Sequence, residues 1–195
     1  MTMNLFTDYI HCNINEELAD YLYPISKKIL EETPEHPNYI NGKTSYFFRS
    51  TPSQYEENLF PFYDYVLKNS IEYLKVLEVD IEKYNLEFKD IWFSEMYKYG
   101  SHETHVHQGN HLSGTFYINY NEENSKIRFY RPDHFYNSLS TILFKRYNNY
   151  NSQVWDFTTE KGKLLIWQSS LMHGVLSNLS NNRIAISFNL NLTKK

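Results

Sequence analysis

Four of the chain's eight histidines, His102, His105, His107 and His111, crowd into one stretch, GSHETHVHQGNHLSG, running from Gly100 to Gly114. Neutral imidazole is a good ligand for divalent iron, zinc, copper and nickel. His105 and His107 are two apart, so on an extended backbone both rings point to one face and can reach one ion. A solvated pair on a surface strand has the same spacing, so the pair alone decides nothing.

Other residues could complete such a site. His173 lies in SSLMHGVLS, just after KLLIWQ, and could bring a third imidazole; the alternative is a core histidine with satisfied hydrogen bonds. Arg183 stands ten residues later. An arginine facing a cavity needs an anion, because an unpaired buried charge is costly, and a bound carboxylate would serve; a surface ion pair is the alternative. Tyr117 and Ser187 could share that carboxylate through hydroxyl donors, although Tyr117 could equally be an aromatic filling the interior. Glu103 is the nearest acid to the histidine pair and shares its face. It could be a metal ligand or an acceptor that orients an imidazole N–H. His102 and His111 are expected to be bystanders or substrate contacts.

Elements must bring these residues together. The first half reads helical. NINEELADYLYPISKKILEE has helix formers, an Asn cap and Pro24 as a break or kink. STPSQYEENLFPFYDYVLKNSIEYLKVLEV has Pro52 near a helix start, with Phe62, Val66, Tyr73, Leu74 and Leu77 facing the core. The second half changes period, and YNLEFKDIWFSEMYKYG, LSGTFYINY, SKIRFYR, SQVWDFTT, KLLIWQ and NRIAISFNLNL read as strands. In the last, Ile184, Ile186, Phe188, Leu190 and Leu192 form a core face. Arg183, Ala185, Ser187, Asn189 and Asn191 form a polar face that suits bulk water or a wet cavity. LSGTFYINY alternates likewise, Ser113, Thr115, Tyr117 and Asn119 against Gly114, Phe116, Ile118 and Tyr120. The segment from His134 to Asn151 fits neither period and is expected to be a lid or substrate rim, or to pack Leu143 and Phe144 on the core.

Helices followed by strands predict an α+β fold, a β-sandwich or barrel with N-terminal helices packed on one sheet. The 195 residues suit a single domain, 1–195, with 1–85 mainly helical support and 86–195 the β core. The net charge of −4, from 19 basic and 23 acidic residues, argues against a general nucleic-acid or membrane surface. Cys12 is the single cysteine, so no intramolecular disulfide forms and a reducing, cytoplasmic setting is expected. The first residues have no signal-peptide pattern, and no run is apolar enough to span a bilayer. Monomer and homodimer both remain open.

Taken in order, His105-Val106-His107, Ser113-Gly114-Thr115-Phe116-Tyr117, His173-Gly174-Val175, Arg183 and Ser187-Phe188-Asn189 resemble the 2-oxoglutarate- and Fe(II)-dependent oxygenases, in particular a subgroup carrying H-x-H where most relatives carry H-x-D or H-x-E. YKYGSHETH is similar to the Y-x-x-G-x-F-x-x-H approach of the prolyl-hydroxylase branch, with His102 in place of Phe. The resemblance covers about Trp92 to Leu192. Gln108 replaces a Pro, Trp167-Gln168-Ser169-Ser170 replaces F-P-S-W, and Phe116 and Ala185 replace a Tyr and a Ser. The resemblance implies a double-stranded β-helix (a jelly-roll, cupin-like barrel), with Fe(II) on His105, His107 and His173, 2-oxoglutarate as cosubstrate and dioxygen as oxidant. It puts Arg183, Tyr117, Ser187 and Tyr99 on the cosubstrate, and implies hydroxylation of a small-molecule or peptide substrate with release of succinate and CO2. Two other readings compete. A cupin metalloprotein indifferent to 2-oxoglutarate would use G-x5-H-x-H-x3-E, approximated by Gly100, His105, His107 and His111. A non-catalytic metal-binding module would keep the barrel and lose turnover.

Overall fold

The computed structural model describes residues 8–33, 41–46, 56–119, 121, 123, 126–132, 143–148 and 151–195. The chain begins with β1 (His11–Ile14), α1 (Glu16–Glu32), β2 (Gly42–Thr44) and α2 (Phe60–Val76). Strands follow: β3 (Tyr84–Met96), β4 (His102–His105), β5 (Leu112–Tyr117), β6 (Ile127–Tyr130), β7 (Val154–Phe157), β8 (Lys163–Gln168), β9 (His173–Val175) and β10 (Arg183–Lys194). Among the described residues they form two antiparallel sheets, one ordered β1-β8-β5-β10-β3-β2 and the other β4-β9-β6-β7.

The alternation along β10 decides which face of the larger sheet goes where. Ile184, Ile186, Phe188 and Leu190 are buried in one cluster with Leu22 and Ile29 of α1 and Phe62 and Val66 of α2. Burying side chains of this size contributes roughly 1.5–3 kcal/mol each. Phe62 sits at the centre, its ring 5.9 Å from Phe116 and 6.1 Å from Phe188. The opposite face turns to the smaller sheet. Tyr117, Leu165, Trp167 and Ala185 meet Ile127 and Phe129 there in a second cluster.

Gly114, in the middle of β5, is where the outer cluster is tightest. A Cβ added there would lie 2.2 Å from Phe188 Cζ and 2.7 Å from the Leu165 carbonyl oxygen. Neither can retreat, because Phe188 is fully buried and Leu165 belongs to the neighbouring strand. Gly114→Ala should therefore cost about 3 kcal/mol or more. That lowers the midpoint of a thermal melt by about 6–12 °C for a domain of this size. An unchanged melt would contradict this packing.

The helical half departs from expectation in two ways. It also supplies β1 and β2, short edge strands whose few residues carry no readable alternation. Asn15 caps α1, its side chain accepting from Leu18 N at 2.9 Å, but Pro24 does not break the helix, which runs through to Glu32. Pro24 lacks only its own N–H, and the surrounding turns bury Leu22, Ser26, Ile29 and Leu30, which offsets the roughly 3 kcal/mol cost of an interior proline. The helix start expected at Pro52 lies outside the described residues; α2 follows a turn of 3-10 helix at Glu57–Leu59. Most of the segment 134–151 is also outside them. Its Leu143 is 97% exposed, so it does not pack on the core. Among the described residues no helix is long and apolar enough to cross a membrane.

Candidate functional site

The histidines gather where the two sheets face each other. His105, the last residue of β4, pairs directly with His173, the first of β9. Gly174 permits the approach of these strands, since a Cβ there would meet the His102 carbonyl at 3.1 Å. His107 follows two residues later, held by its backbone N–H to the Ser169 carbonyl at 2.9 Å. One ring nitrogen of each of His105, His107 and His173 lies within 4.8 Å of the others, a set that could hold a metal ion. An ion about 2.1 Å from each nitrogen would set adjacent ligand atoms about 3 Å apart. His105 Nε2 and His107 Nε2 are already 3.1 Å apart.

The rest of each ring explains this. His105 Nδ1 lies 2.7 Å from the Glu103 carbonyl oxygen, and His173 Nδ1 lies 2.9 Å from that of Leu171. A carbonyl can only accept, so Nδ1 carries the proton in both neutral rings and Nε2 presents a lone pair. Burial keeps His173 and His107 neutral. It pushes the His173 pKa down to about 3 and, with His105 alongside, that of His107 to about 4. Neutral imidazole is the form a metal requires. His107 also stacks on Trp92, with ring centroids 5.6 Å apart, and Trp167 meets His173 edge-on at 4.8 Å.

A cavity of about 600 Å³ runs from this cluster along the inner face of the larger sheet. Strand register sorts that inner face into rows. Trp167, Ser113, Asn189 and Asp90 are successive partners across β8, β5, β10 and β3. The next row is Leu165, Thr115, Ser187 and Trp92, and after it Tyr117, Ala185 and Ser94. Arg183 stands at the far end, opposite Met96. It is 4% exposed, and its Nε is buried without a partner. Its guanidinium lies over the Tyr117 ring at 5.1 Å and reaches the Tyr117 hydroxyl at 3.5 Å. Among the described residues no carboxylate pairs with it. Burial pushes the Tyr117 pKa up, so its hydroxyl keeps its proton and can donate. Ser187 Oγ lies 3.3 Å from Thr115 Oγ1 on the same floor.

His105, His107, His173, Arg183, Tyr117 and Ser187 thus share one cavity. Tyr99 does not. It sits in a turn with φ 68°, is 63% exposed, and is absent from the cavity wall. Glu103 orients His105 through its backbone carbonyl rather than its carboxylate. His102 packs on His105, ring centroids 4.2 Å apart, while His111 is exposed and bonds Asn191. Asn191 therefore leaves the cavity that its strand neighbours line. Three contributors escape the sequence reading: Trp92, Tyr46, which packs edge-on against Trp92 at 5.1 Å, and Asp90. The alternation in DIWFSEM, with Asp90, Trp92, Ser94 and Met96 opposite Ile91 and Phe93, is the signal that points to Trp92 and Asp90; none points to Tyr46.

Residues 90–189, more than half of the chain, match the family model for 2OG-Fe(II) oxygenases. No curated protein matches the sequence. Solved structures share the fold. A Pseudomonas putida prolyl-4-hydroxylase aligns over 95% of this chain and 94% of its own, at 12% identity and a TM-score of 0.64. HygX from Streptomyces hygroscopicus, with nickel, 2-oxoglutarate and hygromycin B bound, aligns over 95% and 83% respectively, at 12% identity and a TM-score of 0.59. The viral collagen prolyl hydroxylase of Paramecium Bursaria Chlorella virus-1, in its 2-oxoglutarate complex, aligns over 95% and 97%, at 14% identity and a TM-score of 0.58. With the family match and a histidine set able to hold iron, the chain belongs to the 2OG-Fe(II) oxygenases and is a 2-oxoglutarate-dependent oxygenase.

Proposed function

We propose that this oxygenase hydroxylates a C–H bond of a peptide or small molecule, using His105, His107 and His173 as iron ligands and Arg183 as the anchor of 2-oxoglutarate. One observation carries the reading: imidazole nitrogens converge at one end of a cavity whose other end holds a buried guanidinium with an unpaired Nε. A dicarboxylate can answer both groups. One end would meet the metal and the other Arg183, with the Tyr117 hydroxyl donating and Ser187 on the adjacent row. When bound, the metal and cosubstrate supply the oxidising chemistry, coupling decarboxylation to succinate with transfer of oxygen. The chain's own part is positioning. Glu103 and Leu171 carbonyls orient two imidazoles, and Trp92 and Trp167 wall the site against water.

The two sheets are read as the double-stranded β-helix of this family, one domain over 1–195. Exposed Cys12, the one cysteine, suits a reducing compartment such as the cytoplasm. A peptidyl substrate is favoured by the prolyl-hydroxylase neighbours, and an antibiotic-like small molecule by HygX. The cupin reading loses its fourth ligand, because His111 turns to Asn191. Anaerobic protein mixed with Fe(II) and 2-oxoglutarate should develop a visible metal-to-ligand charge-transfer band, and in air should form succinate. Neither band nor succinate would sink the proposal. Metal binding indifferent to 2-oxoglutarate would restore the cupin alternative.

A further inference from the structure

Three neutral imidazoles leave a divalent ion its full charge. The ion, a dianionic cosubstrate and the Arg183 guanidinium together sum to one net positive charge. A carboxylate ligand would cancel it, and the histidine set has none. The register rows show where one stands. Asp90 lies beside Asn189 on the inner face of β3, and its Oδ2 accepts from Asn189 Nδ2 at 3.0 Å. Asn189 is 2% exposed, and its Oδ1 accepts from Ser113 Oγ at 2.8 Å. Asn189 also stands with the His107 ring on the cavity wall and favours the charged form of that ring. With Nε2 turned to His105, Nδ1 is the His107 nitrogen left to face it.

A break in the sheet produces this arrangement. Phe88 and Asp90 have the same parity, so on a regular strand they would share a face. The register shifts between them: Asn189 pairs with Asp90 but Leu190 pairs with Phe88, leaving Lys89 extra. Phe88 therefore packs into the helix-facing cluster, while Asp90 keeps the side of Trp92 and Ser94, which line the cavity. Bulges beside active sites commonly re-aim a side chain in this way.

We infer that Asp90, acting through Asn189 on His107, supplies the negative charge that the three-histidine ligand set lacks. Asp90 is a positioning residue in this role. It is the carboxylate that usually backs a metal-bound histidine, moved one amide further out. The inference rests on the proposed ligand set, so its test begins there.

Co(II) is a suitable probe, because its visible bands report its ligands without turnover. The parent protein should bind Co(II) and lose it in His105→Ala; failure at that step removes the ligand set rather than the relay. Given binding, Asp90→Asn keeps an oxygen acceptor for Asn189 and removes only the charge. It should weaken Co(II) about 10–100-fold, as loss of such a partner typically does. The affinity of the cobalt-loaded protein for 2-oxoglutarate should hold or tighten, because the site has become more positive. Adding Asn189→Asp to Asp90→Asn returns the charge one link closer with the same number of hydrogen bonds. That double variant should recover most of the Co(II) affinity. Undiminished Co(II) affinity in Asp90→Asn overturns the inference, as does a double variant no better than the single. If Asp90→Asn lowers the metal-free melting temperature, the double variant decides by the same criterion.

Discussion

Arg183→Met weakens 2-oxoglutarate binding by about thirtyfold or more, leaves metal affinity nearly unchanged, and does not destabilise the metal-free protein. The first part follows from the cost of truncating one member of a buried, hydrogen-bonded charge pair, about 2–5 kcal/mol, against 1.4 kcal/mol for each tenfold in affinity. The second follows from position. Arg183 stands at one end of the cavity floor, whereas Asn189, beside the histidines, is three inward-facing positions further along β10. The third is less obvious. In the free protein the Arg183 guanidinium is buried over Tyr117 with Nε unpaired. Replacing a poorly compensated buried charge with an apolar side chain of similar length is often neutral or stabilising. Calorimetric titration with 2-oxoglutarate and a melt of the metal-free variant measure these separately. Equal losses of cosubstrate, metal and stability would mean that Arg183 is a structural residue.

The β10 strand shows how much of this was legible beforehand. Strict alternation over RIAISFNLNL separated the helix-facing Ile184, Ile186, Phe188 and Leu190 from the cavity-facing Arg183, Ser187 and Asn189, because a period of two is a property of the chain itself. His105 and His107 followed from the same rule. The partnership of His105 with His173 did not, since cross-strand register depends on the whole sheet and β4 and β9 are too short to show a pattern. Pattern reading offers the Glu103 carboxylate, next to the histidines in sequence, whereas the inferred one, Asp90, stands on a strand distant in sequence. Register carries it there, and a single-residue bulge invisible to pattern reading gives it the right face. Tyr99 was misplaced for a related reason. A motif match fixes residue order, but the left-handed turn at Tyr99 points its ring outward.

The four crowded histidines, with His173, make the strongest test of the ligand set, because their environments predict unequal effects. His105→Ala, His107→Ala and His173→Ala should each weaken Co(II) or Fe(II) by about a hundredfold or more. A four-ligand zinc site is worth about 10–16 kcal/mol, so one ligand accounts for about 3 kcal/mol. His111→Ala should leave metal affinity unchanged, since its ring bonds Asn191 at 3.1 Å outside the cluster. His102→Ala should fall between, because its ring packs on His105 without joining the convergent nitrogens. Melts of the metal-free variants separate ligand loss from unfolding. Metal saturation should raise the melting temperature of the parent and of His111→Ala, and fail to do so for the three ligand variants. Replacement of His173 will cost some stability of its own, because it leaves the Leu171 carbonyl without its N–H donor in a buried site. Metal binding that survived His107→Ala but vanished in a Glu103→Gln variant would move the third ligand to the carboxylate, and would leave Asp90 with no histidine to act on.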